Sequence, residues 1–140
     1  MIHSVIVDTG PLVALLARQE RHHAWAVTAF SGFAFPMATV EAVLTEAFFV
    51  VRDSPMAQMG LRGMLRRGLF ELPLRFDEER THILELMERY ADAPMSFADA
   101  CLVRLAELRP GAHVWTMDAH FLFYRRRSGQ PLPVIMPSRR

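Results

Sequence analysis

Two short apolar runs in the chain end in an acid and are followed by helix-forming residues, and this repeat narrows the fold more than any other feature. "SVIVD" at 4–8 is rich in β-branched residues. Gly10-Pro11 then opens a segment with Leu12, Leu15 and Leu16 at helical spacing, which reads as strand, turn, helix. "HVWTMD" at 113–118 repeats the apolar run and the terminal acid, and a short helix, "AHFLFYRR", follows it. Between them, "HHAWAVTAFSG" reads as a helix closed by Gly32, "FAFPMAT" as a short buried strand, and residues 40–53 as a largely apolar helix. Residues 55–68 form a helix rich in methionine and arginine, with "LFELP" a strand after Gly68. "DEERTHILELMERYAD" opens with acids and repeats Ile83, Leu86, Met87 and Tyr90, which marks an amphipathic helix. "SFADACLVRLAEL" is a helix ended by Pro110-Gly111, and "LPVIMP" is a last strand. Strands alternating with helices predict an α/β fold: a three-layer α/β/α sandwich with a central parallel sheet. Ligands of such sheets gather beyond the carboxyl ends of the strands, where Asp8 and Asp118 stand.

Each acid has two readings at this level. Asp8 or Thr9 can cap the helix that follows, and Asp118 can cap the one at Ala119. Glu46 and Asp99 are harder to explain as ordinary surface acids, because their neighbours three and four residues away are mostly apolar. Glu46 shares a face with Ala42, Val43, Phe49 and Val50; Asp99 shares one with Met95, Leu102 and Val103, with Ser96 its one polar neighbour. A carboxylate on the core side of a helix is costly unless paired with arginine or bound to a cation. Two acids at strand ends and two on inner helix faces would meet at one rim of the sheet, repelling each other unless a divalent cation neutralised them. Oxygen ligands without histidine or cysteine favour Mg²⁺ or Mn²⁺ over zinc. Glu41 competes with Glu46, but five residues rotate a helix by about 140°, so the two point to different sites. The apolar neighbours choose Glu46.

The motifs "VIVDTGPLVALL", "AVLTEAFFVV", "FADACLVRLA" and "WTMDAHF", in this order and spacing, resemble those of the PIN-domain ribonucleases, especially the VapC-type toxins of bacterial toxin–antitoxin systems. The resemblance covers nearly the whole chain. It implies a PIN-like fold and a metal-dependent endoribonuclease in which Asp8, Glu46, Asp99 and Asp118 hold one or two Mg²⁺ or Mn²⁺ ions. Thr9, Thr116 and Ser96 would orient the carboxylates or phosphate from behind, with Phe121 packed beneath. It further implies hydrolysis of RNA to a 5′-phosphate and a 3′-hydroxyl, a homodimer, and an antitoxin laid across an apolar groove near the site. At Ser96 many similar sequences carry a further aspartate, so an auxiliary metal contact is weakened here.

Composition bounds the remainder. The length of 140 residues predicts one domain spanning 1–140, and 51% hydrophobic content is ample for its core. One cysteine, Cys101, excludes an internal disulfide, and neither a signal peptide nor a membrane span is legible, so a cytoplasmic protein is expected. The net charge of +1 announces no polyanion partner by itself. Every basic residue is nevertheless arginine, and Arg62, Arg66 and Arg67, with Arg125, Arg126 and Arg127, form clusters suited either to RNA phosphates or to plain solvated faces. His22, His23 and His120 lack metal-ligand spacing with any cysteine or acid motif and are read as surface or packing residues, and Asp92 as a helix-end or turn residue. Asp8-Thr9-Gly10 is also the aspartic-protease signature, but that fold is almost all β and gives no place to a helix after Gly10. A PIN-like binding module without catalysis is the other alternative.

Overall fold

A computed structural model describes residues 1–138. Five short strands, β1 (Val5–Val7), β2 (Met37–Ala38), β3 (Phe70–Glu71), β4 (His113–Trp115) and β5 (Val134–Ile135), form one parallel sheet in the order β3-β2-β1-β4-β5. All three residues of β1 are buried, as a parallel strand covered on both faces requires. Its register sets Val5, Ile6 and Val7 against His113, Val114 and Trp115.

Six helices connect the strands: α1 (Thr9–Leu16), α2 (His23–Phe30), α3 (Glu41–Val50), α4 (Pro55–Arg66), α5 (Phe76–Arg89) and α6 (Phe97–Leu108). The chain steps from β1 to β2 to β3 in one direction, then returns across the sheet to β4. Right-handed crossovers place α1–α4 on one face and α5 and α6 on the other. Accordingly α1 packs on α2, α3 and α4, while α5 packs on α6. Leu12, Val43, Ala47 and Leu61 on one side, and Ile83, Leu86, Leu102 and Leu105 on the other, join Ile6 and Trp115 in a continuous core. The expected three-layer architecture is what forms. No helix among the described residues is long and apolar enough to cross a membrane.

Local signals explain the boundaries. Ser54 caps α4 by accepting from the Ala57 amide at 3.2 Å, with Pro55 at the first helical position. Helix α3 ends at Val50, short of the expected residue 53, and turn residues 51–53 lead to Ser54, which is extended as the residue before a proline must be. Gly68, with φ of 70°, adopts the left-handed conformation that ends α4 and turns the chain into β3. Helix α1 starts at Thr9, two residues before Pro11, because Asp8 is its cap. "AHFLFYRR" forms only a 3₁₀ turn over Ala119–Leu122, since the chain must reverse at Arg125, bridged to Pro131, to deliver β5.

Candidate functional site

The strand order reverses beside β1: the chain winds from it to β2 and β3 on one side, and β4 is added later on the other. In open parallel sheets this switch point opens a crevice beyond the strand ends. A cavity of about 420 Å³ lies here, lined by Asp8 and Asp118 after β1 and β4, Asp99 in the first turn of α6, and Glu46 on α3. Thr9 and Ser96 also line it.

Asp8 is buried, at 8% exposure, and serves as helix cap and cavity wall together. Its Oδ1 accepts from the Thr9 amide at 2.8 Å and its Oδ2 from the Thr116 hydroxyl at 2.7 Å. Burial pushes its pKa up to about 6; the bonds from Thr116 and Thr9 oppose that rise, and the charges of Asp99 and Asp118 add to it. Capping α1 and lining the cavity are thus tasks of one side chain.

Asp99 is equally buried and belongs to a reciprocal capping box. The Ser96 hydroxyl accepts from the Asp99 amide at 3.0 Å, and Asp99 Oδ2 accepts from the Ser96 amide at 3.3 Å. The same oxygen accepts from the Tyr124 hydroxyl at 3.1 Å. Burial raises the Asp99 pKa, the Ser96 and Tyr124 bonds counter it, and the Asp118 charge adds to the rise. Ser96 acts here as the cap that starts α6.

Asp118 caps the 3₁₀ turn, its Oδ1 accepting from the His120 amide at 2.9 Å and lying 2.7 Å from His120 Nδ1. Thr116 ties the two strand-end acids together: besides donating to Asp8, its oxygen accepts from the Asp118 amide at 3.0 Å. Phe121, in the same 3₁₀ turn, is fully buried.

Glu46 corrects one expectation. It reaches the cavity from an exposed stretch of α3, not from an inner face, and two of the apolar residues that share its face, Phe49 and Val50, are 63% and 50% exposed. Glu41 lines a different cavity, of about 440 Å³, with Phe76, Phe97 and Cys101, so the two glutamates do point apart.

The donor set suits a hard cation, being entirely oxygen, and the buried Thr9 hydroxyl oxygen has no hydrogen-bond partner. Among the described residues, however, no three Asp, Glu, His or Cys side chains converge closely enough to enclose an ion by themselves. An acid-lined cavity of this breadth fits a cation that keeps several of its waters, as Mg²⁺ does, rather than one stripped into a protein cage.

None of the candidate arginines lines this cavity. Arg62, Arg66 and Arg67 are exposed on and just after α4. Arg125 donates to the Leu122 and Tyr124 carbonyls and Arg126 to that of Pro110, so these two brace the chain reversal. Two residues outside the expected set touch the acids: His120, read as a surface residue, and Tyr124. His120 was signalled only by its place two residues after a strand-end acid, and Tyr124 by nothing local.

Comparison with known proteins agrees with this architecture. The VapC20 toxin of Mycobacterium tuberculosis, described as cleaving the sarcin–ricin loop, superposes with a TM-score of 0.69 at 17% identity, over 82% of this chain and 90% of that one. A toxin–antitoxin complex from Klebsiella pneumoniae matches with a TM-score of 0.65 at 17% identity, over 96% and 98% of the respective chains. At these identities the likeness is one of fold. No curated protein sequence matches the chain. The PIN-domain family profile, in contrast, matches residues 5–127, a span that holds all four cavity acids, and the chain belongs to the PIN-domain family.

Proposed function

We propose that the chain is a metal-dependent endoribonuclease and the toxin of a toxin–antitoxin pair. The observation that carries this reading is the set of four carboxylates around one cavity at the sheet's switch point, three of them close enough in charge to perturb one another. Asp8, Asp99, Asp118 and Glu46 would hold Mg²⁺ or Mn²⁺. A divalent cation bound there lowers the pKa of a coordinated water and offsets charge on the attacked phosphate. Asp8 is ionised above pH 6, Thr116 holds its Oδ2, and the Thr9 hydroxyl is left to orient a carboxylate or phosphate.

The neighbouring cavity supports an antitoxin partner. Phe76 and Phe97 stand 5.7 Å apart, both partly exposed, beside Leu72 and Glu41. Such a groove takes an apolar segment carrying a basic side chain for Glu41. A homodimer in the cytoplasm belongs to the same reading, and a monomer in light scattering at micromolar concentration would remove that part of it.

The decisive assay is cleavage of a panel of structured RNAs, including tRNA and rRNA fragments, with Mg²⁺ or Mn²⁺. Cleavage should stop on adding EDTA and be absent from Asp8→Asn. Persistence in both would assign the chemistry elsewhere. The rival, a PIN-like module that binds without cutting, draws on the lack of a ready-made metal cage among the described residues and expects RNA binding with no products under any metal.

A further inference from the structure

Three donors spaced four residues apart, Thr116, His120 and Tyr124, each touch a different aspartate of the cavity: Asp8, Asp118 and Asp99 in turn. One short segment thus supplies an acid and contacts all three. Tyr124 is the least expected of these, because it sits in the core and reaches Asp99 across 25 residues of chain.

Its ring has little freedom. Tyr90 meets it edge to face at 5.1 Å and Phe121 does so at 5.2 Å, and Tyr90 is itself held by the Arg125 amide, which donates to its hydroxyl at 2.8 Å. Asp99 Oδ2 receives two donors, one from its own capping box and one from Tyr124, whereas no hydrogen bond among the described residues reaches Oδ1. A carboxylate held by one oxygen presents the other in a defined direction.

We propose that Tyr124 is a positioning residue of the acid cavity, its hydroxyl holding Asp99 by Oδ2 so that Oδ1 is left to bind a cation. This rests on the metal-dependent reading above. A tyrosine present only for packing would need an acceptor for its hydroxyl, but its loss would then be felt in stability and not in metal affinity.

Tyr124→Phe keeps the ring and removes only the hydroxyl. In calorimetric titration of the full chain with Mn²⁺, affinity is expected to fall about 10-fold, the lower end of the effect of losing a carboxylate's outer partner. In an Asp99→Asn background the same substitution should cost no further affinity, because the two residues act through one bond. RNA cleavage by Tyr124→Phe should need more Mn²⁺ for half-activation yet approach the wild-type kcat at saturation. Tyr90→Phe, which leaves the Tyr124 hydroxyl in place, should weaken Mn²⁺ binding less than Tyr124→Phe does. Unchanged affinity in Tyr124→Phe, or an equal loss in Tyr90→Phe, overturns the proposal while leaving the nuclease reading intact. Failure of the wild type to bind Mn²⁺ overturns both.

Discussion

The Thr116 hydroxyl donates to Asp8 Oδ2 at 2.7 Å across 108 residues of sequence, linking the ends of two adjacent parallel strands. Because the same oxygen accepts from the Asp118 amide, one buried hydroxyl sets the relation between two acids that repel each other.

Thr116→Val, which keeps the side-chain shape, should therefore lower stability by about 1–3 kcal/mol, since it leaves the Asp118 amide and Asp8 short of a partner. Cleavage should fall at least several-fold. Denaturant unfolding checks the first and RNA turnover the second; an unchanged unfolding midpoint would mean that water replaces the hydroxyl without loss.

Asp8 makes the metal-free protein pH-sensitive. Its pKa is about 6 in the fold against an ordinary 3.8, so between these values the folded state holds the proton more firmly than the unfolded chain. The contribution is favourable in acid and is lost as pH rises from about 4 through 6, amounting to about 3 kcal/mol at most. Asp8→Asn cannot ionise, so its melting temperature in EDTA should gain on wild type across that window and keep a constant offset above it. Parallel melting curves for the two proteins from pH 4 to 8 would refute the raised pKa.

The two glutamates of α3 should behave differently. Glu46→Gln removes a cavity acid and should reduce Mn²⁺-dependent cleavage by 10-fold or more, whereas Glu41→Gln, facing the Phe76–Phe97 cavity, should leave cleavage within about 2-fold. Turnover of both variants at fixed Mn²⁺ decides it. Equal losses would place the functional face of α3 elsewhere.

Ser96 separates capping from metal chemistry. Ser96→Ala loses the cap and should cost about 1 kcal/mol, while Ser96→Asp preserves a capping oxygen and adds a carboxylate to the cavity. Ser96→Asp should thus match wild-type stability in saturating Mn²⁺ and bind that ion more tightly. Calorimetry showing weaker Mn²⁺ binding by Ser96→Asp would contradict a cation near α6.

The order of strands and helices, the placing of Asp8 and Asp118 after strands, and the separation of Glu41 from Glu46 were legible in the chain, because they depend on periodicity and near-neighbour chemistry. The Ser96–Asp99 box is local too, spanning three residues, but the chain by itself showed Ser96 only as a polar neighbour of Asp99. Burial of Glu46 was misjudged for a related reason: an apolar stripe shows that a helix has a greasy face but not whether another element covers it, and the end of α3 leaves Phe49 and Val50 uncovered. The links from Tyr124 to Asp99 and from Thr116 to Asp8 were beyond sequence reasoning, as a hydrogen bond needs its atoms placed within a few tenths of an ångström. That placement comes from the return of the chain across the sheet to β4 and its reversal at Arg125, which bring together residues that no local pattern associates.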